Sequence, residues 1–81
     1  MRVTVRFFAS HREATGLSSY ATDVVEGTTA AAMLDDLATR FPKLKALTPG
    51  VAFAINQARV QGEAQLREGD ELALLPPMAG G

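Results

Sequence analysis

Apolar and polar residues alternate from the start of the chain. Val3, Val5 and Phe7 fall on one side of an extended backbone and Arg2, Thr4, Arg6 and Phe8 on the other, which predicts a strand over residues 2–8. Ser10-His11-Arg12-Glu13-Ala14-Thr15-Gly16 predicts a single helical turn, with Ser10 as its cap and Gly16 as its stop. Residues 19–25, ending in Val24-Val25, read as a second strand that pairs with the first as a hairpin, and Glu26-Gly27 breaks it. The period then changes. Ala30, Met33, Leu34, Leu37, Ala38 and Phe41 form one apolar stripe at helical spacing, with Asp35, Asp36 and Arg40 off it. Thr28 or Thr29 caps this helix, and Pro42 ends it by removing a donor and crowding the preceding turn. Lys43 to Gly50 reads as a connecting loop holding a short turn. Alternation returns at Val51, Phe53 and Ile55, followed by a bend at Gln57-Ala58 and a short strand around Arg59-Val60. Leu66 precedes a turn at Arg67-Glu68-Gly69-Asp70, and Glu71 to Leu75 forms the last strand.

The order is therefore β-β-α-β-β-β, an α+β domain with one main helix packed on one face of a mixed sheet. Residues 1–75 make the domain and residues 76–81 an extended tail, with no repeats and no second domain in the chain of 81 residues. One helix covers one sheet face and leaves the other open. By alternation the open face carries Phe8, Ala52, Ala54, Ala73 and Leu75. Scattered apolar residues are ordinary on any protein surface, whereas a cluster beside the tail marks a partner surface. Alternation alone leaves both readings open.

Composition removes most other functions. Eight Lys and Arg stand against nine Asp and Glu, a formal net charge of -1, which gives no electrostatic footprint for nucleic acid or an anionic membrane. Cysteine is absent, so disulfides, thiolate nucleophiles and cysteine metal sites are excluded. No apolar run reads as a signal peptide or a membrane span, and the expected location is cytoplasmic. His11 is the only histidine and, in a polar turn, reads as a solvated side chain. Asp35 and Asp36 point in different directions on a helix, and Glu68, Asp70 and Glu71 lack the spacing of a calcium loop. No metal site and no side-chain catalytic site are expected.

The tail is the exception. Pro76-Pro77 stiffens the exit from the last strand in an extended polyproline conformation, and Met78-Ala79-Gly80-Gly81 tapers it to bare backbone. Fully extended, it reaches up to roughly 20 Å, enough to enter a narrow tunnel in a partner. Its terminal carboxylate is a poor electrophile until an adenylyl group from ATP converts it to an acyl-adenylate. A sulfur donor that displaces AMP then leaves a thiocarboxylate on Gly81, a soft nucleophile at the end of an arm. A terminal Gly-Gly by itself is an ordinary frayed end. Pro-Pro-x-x-Gly-Gly leaving a last strand is a stronger signal.

Phe7-Phe8-Ala9, Arg12-Glu13-x-x-Gly16, Ile55-Asn56-Gln57, Leu66-x-x-Gly69-Asp70-Glu71 and Pro76-Pro77-x-x-Gly80-Gly81 resemble the small subunit of molybdopterin synthase. The resemblance runs nearly end to end and is least specific between Gly16 and Gly50. It implies a β-grasp, ubiquitin-like fold and a sulfur carrier without catalytic side chains of its own. It implies that Gly81 is adenylated by an E1-like enzyme using ATP and is sulfurated by a donor protein. The tail, Pro76 to Gly81, together with Leu75 and Phe8, would then dock on a large subunit, which supplies the catalytic side chains in a heterotetramer and passes the sulfur to a pterin precursor in molybdenum cofactor biosynthesis. Related carriers serve thiamine, cysteine or tRNA thiolation pathways, and ubiquitin-like modifiers attach the same Gly-Gly end to lysines. No cofactor is expected to be bound permanently.

Overall fold

Alternation in the first strand decides the layering of the domain. In the computed structural model, which describes residues 1–77, β1 spans Arg2–Phe7 and buries Val3, Val5 and Phe7 while Arg2, Thr4 and Arg6 face outward. Met78, Ala79, Gly80 and Gly81, expected to form the end of the tail, lie outside the described residues. β2, Ser19–Asp23, pairs antiparallel with β1, placing Val3 opposite Thr22 and Val5 opposite Tyr20. The last strand, Glu71–Leu75, lies parallel on the other side of β1, with Val5 opposite Leu72 and Phe7 opposite Leu74. Two further strands precede it in sequence: β3, Ala52–Ile55, and β4, Ala58–Val60, so the last strand is β5. The mixed five-stranded sheet has the order β2-β1-β5-β3-β4, the β-grasp arrangement expected.

A parallel pair cannot be closed by a tight turn, so the chain must cross over the sheet between β2 and β3. The main helix provides that crossing over Ala30–Arg40. Its start is fixed by Thr29, whose side-chain oxygen accepts a bond of 3.1 Å from the Ala32 amide, a cap worth about 1 kcal/mol. Backbone bonds from Ala30 to Ala64 and from Ala31 to Gly62 tie the segment before β5 to the same turn. Ala30, Met33, Leu34 and Leu37 are buried against the sheet, and Asp35, Asp36 and Arg40 are exposed, as the stripe predicts. Arg40 Nε meets Asp36 at 2.9 Å and its Nη1 donates to the Tyr20 hydroxyl at 2.9 Å, linking helix to β2. The bond to Tyr20 and the neighbouring Asp36 charge raise the Arg40 pKa above its ordinary value.

Three local expectations are corrected. Residues 43–50 are more ordered than a loop: a 3-10 helix over Pro42–Leu47 follows directly, and its Leu44 is fully buried in the core. The first helical segment is longer than one turn, covering Ala9–Thr15, and Phe8 rather than Ser10 occupies the cap position, with no side-chain cap bond. Ser10 lies inside the helix because the chain turns at Ala9, φ 47°, and the helix starts two residues earlier than a Ser10 cap would place it. Gly16 does stop it, at φ 76° with its amide bonded to Arg12. This helix is α1 and the main helix α2.

His11 is the third correction. It is not solvated but fully buried, at 0% exposure, because α1 lays one face on β1 and the 3-10 helix. Arg12 and Glu13 take the exposed face, and Ala14, three residues on from His11, packs against the core. Among the described residues, neither ring nitrogen of His11 has a hydrogen-bond partner. Leaving a buried polar group unpaired costs about 1–3 kcal/mol. Replacing the ring by an apolar group of similar bulk should therefore recover part of that cost. His11→Leu is expected to raise unfolding stability by about 1 kcal/mol in urea denaturation at neutral pH. A loss of stability in that variant would mean that the ring has a partner, such as a buried water.

Candidate functional site

The parallel register of β1 and β5 builds the site. Because Phe7 lies opposite Leu74, the next residues of both strands, Phe8 and Leu75, emerge side by side at the same end of the sheet. Antiparallel pairing adds Ala52 of β3 opposite Leu75. Phe8 is 38% exposed, Leu75, Ala52 and Pro76 are half-buried, and Pro77 is exposed. These residues line a surface groove of about 670 Å³, closed along its sides by the start of α1 (Ala9 and Ser10), by Gly50 and by Arg59. The open sheet face is thus a clustered apolar groove at the root of the tail. Ala54, expected on an accessible face, is only 7% exposed between Ala73 and Arg59 and lies outside the groove lining.

Gly50 seats the tail root. Its φ is +80°, and a Cβ added there would stand 3.3 Å from Pro77 Cβ and 3.4 Å from Cγ. Glycine therefore meets two demands at once, a left-handed backbone and a close approach by Pro77. Pro49-Gly50 was legible as a turn, but contact with Pro77 was not, since the two are far apart in sequence. Arg59 was also missed as a site residue. Its signal was its place opposite Ala54 in β4, on the outward side of the pleat.

A second cluster holds β5 in place. Asn56 and Gln57 both have positive φ, 50° and 72°, as a two-residue hairpin turn requires. Asn56 Nδ2 donates to Asp70 Oδ1 at 2.9 Å, and its Oδ1 accepts from the Glu71 amide at 3.0 Å. Asp70 Oδ2 accepts from the Arg67 amide at 2.8 Å, and Glu68 Oε1 accepts from the Arg2 amide at 2.9 Å. Glu68 and Asp70 of the turn are hydrogen-bonded ties between strands rather than merely solvated groups. Two of the sequence motifs, Ile55-Asn56-Gln57 and Gly69-Asp70-Glu71, meet in this network.

Among the described residues the groove lining is mostly apolar. Apart from the Ser10 hydroxyl and the Arg59 guanidinium, its lining side chains are apolar. Among the described residues no group of three or more His, Cys, Asp and Glu side chains is placed to hold a metal ion. Among the same residues, no helix is long and apolar enough to cross a membrane.

The ThiS family model matches residues 5–81, from β1 through Gly81. The chain belongs to the ThiS family. The molybdopterin synthase sulfur carrier subunit of Arabidopsis thaliana is 33% identical over 81 residues, spanning all of this chain and 84% of that protein. Among solved structures, SAMP1 from Haloferax volcanii superposes with a TM-score of 0.85 at 27% identity, with both chains fully covered. A chain of the Amycolatopsis orientalis BexX/CysO complex gives 0.73 at 30% identity, covering 98% of this chain and 99% of that one. The β-grasp fold and the molybdopterin synthase resemblance are both borne out.

In this ThiS-family chain, the contact of Gly50 with the tail root can be separated from backbone strain by comparing two glycines. Gly16 also has positive φ, but an added Cβ would meet nothing within 4 Å. Gly50→Ala and Gly16→Ala should each lose about 1 kcal/mol in chemical denaturation from left-handed strain. Only Gly50→Ala should also displace the carbon resonances of Pro77 in an NMR spectrum. Equal Pro77 shifts in both variants would detach Gly50 from the tail.

Proposed function

We propose that this protein is the sulfur carrier subunit of a molybdopterin synthase, with Gly81 as the sulfur-bearing residue. The observation that carries the reading is the placement of an apolar groove at the root of a Pro-Pro-x-x-Gly-Gly tail, on the sheet face that α2 leaves open. Family membership and the printed name of the Arabidopsis relative, a sulfur carrier subunit, support it. The absence of cysteine is consistent with it, since no side-chain thiol competes as the sulfur-bearing group.

The domain positions and the partners react. Phe8, Ala52 and Leu75 dock on the large subunit and Pro76-Pro77 aims the remaining tail into its active site. An E1-like enzyme transfers AMP from ATP to the Gly81 carboxylate and releases pyrophosphate. Sulfide from a donor protein then attacks the acyl carbon, AMP leaves, and a thiocarboxylate remains. That sulfur passes to the pterin precursor, water supplies the oxygen that replaces it on the acyl carbon, and Gly81 returns as carboxylate.

Intact-mass analysis tests the chemistry directly. After incubation with ATP, adenylating enzyme and a sulfur donor, the mass should rise by the replacement of one oxygen by sulfur. Addition of large subunit and pterin precursor should restore it. A chain lacking Gly81 should show neither change while its melting temperature stays the same. If that chain still supports molybdopterin formation, the tail is not the carrier. Lysine-linked conjugates without any thiocarboxylate would make the protein a modifier instead.

The docking surface is tested separately. Burying a side chain such as Phe8 or Leu75 is worth roughly 1.5–3 kcal/mol. Phe8→Asp and Leu75→Asp should each weaken binding to the large subunit at least about tenfold in calorimetric titration, with the isolated domain still folded. Unchanged affinity would take the groove out of the interface, and loss of folding would place the residue in the core.

A further inference from the structure

The outer sheet face is nearly balanced in charge, with one exception. Arg2 of β1 stands 3.7 Å from Asp23 of β2. Arg6 stands 3.5 Å from Glu71 of β5, and its guanidinium also lies 5.8 Å from the centre of the Phe8 ring. Arg59 differs. It projects from β4, the edge strand, is exposed, and has no carboxylate partner or side-chain hydrogen bond among the described residues. Yet it lines the same groove as Phe8, Ala52, Leu75 and Pro77. A partner that covers this groove must bring its surface up to a cation that the fold leaves uncompensated.

Covering a guanidinium without supplying an acceptor is costly, because the charge loses water and gains nothing in return. A carboxylate placed at the groove rim removes that cost and adds a charge-assisted, often bidentate bond. Net charge elsewhere does not provide the attraction, since the chain as a whole carries -1. The attraction is local and directional. We infer that Arg59 is a specificity determinant of the docking face, selecting a partner protein that presents an aspartate or glutamate against the rim of the groove. The inference rests on the proposed function for the identity of that partner, the large subunit, and on the groove as its docking site.

An arginine on an edge strand has a simpler use, which is to discourage strand-to-strand aggregation. That use makes no demand on the groove, and the two are separable. Association with the large subunit is followed by stopped flow at low and high ionic strength for the native chain, Arg59→Gln and Arg59→Glu. Arg67→Gln, exposed in the turn before β5 and outside the groove, serves as the control. Arg59→Gln should slow association roughly three- to tenfold at low salt and flatten its salt dependence, Arg59→Glu should slow it further, and Arg67→Gln should do neither. Replacement of one interface carboxylate of the large subunit by Lys should restore binding to Arg59→Glu. If Phe8→Asp weakens binding while both Arg59 variants keep the native rate and salt slope, the inference falls and the proposed function stands. If Arg59→Gln aggregates but binds normally, the residue guards the edge and selects nothing. If Phe8→Asp also binds normally, the docking face and this inference fall together.

Discussion

Parallel pairing of the first and last strands is the constraint on which the rest of the structure depends. It puts β1 and β5 at the centre of the sheet, where Val5, Phe7, Leu72 and Leu74 share one buried layer. It requires a crossover, and so gives α2 its place on one face. It also brings Phe8 and Leu75 out at the same end, because consecutive residues of parallel strands in register advance together. The groove and the tail root are consequences of the same register. A slip of one residue between β1 and β5 would turn Leu74 outward and Leu75 inward and would dismantle core and groove alike.

Much of this was legible because the chain repeats its intentions at several levels. Alternation at Val3, Val5 and Phe7 marked a strand with one buried face, and the helical stripe from Ala30 to Leu37 marked the main segment that covers it. The Thr29 cap and the Pro42 stop bounded that helix within a residue. Phe8, Leu75, Pro76 and Pro77 could be grouped in advance because alternation and tail position agreed. Less was available where long-range packing overrides local character. Leu44 sits between two lysines in a stretch that reads as loop, and its burial comes from the fit of the 3-10 helix against α1 and α2. His11 looked solvated because its neighbours are polar. The informative pattern was instead its spacing from Ala14, which defines the inward face of a short helix.

Gly50 and Arg59 stayed hidden for a different reason. Each matters through a neighbour distant in the chain, Pro77 in one case and the groove residues in the other, and strand order rather than composition makes those neighbours. The hydrogen bonds of Asn56 with Asp70 and Glu71 belong to the same class. Once the strands are ordered β2-β1-β5-β3-β4, a hairpin turn and a remote turn become adjacent, and polar residues that looked like surface decoration close the end of β5.

The placement of β5 has a mechanical consequence. The tail continues directly from a strand flanked on both sides, by β1 running parallel and β3 antiparallel. When a partner grips the tail and draws it along the strand axis, the load falls on both ladders in shear, and their hydrogen bonds must yield together rather than open one after another from an end. A strand at the sheet edge, pulled away from its neighbour, would peel. The domain is therefore a stiff handle for the residues that follow β5: force applied there is passed to the central pair of strands and the core beneath them.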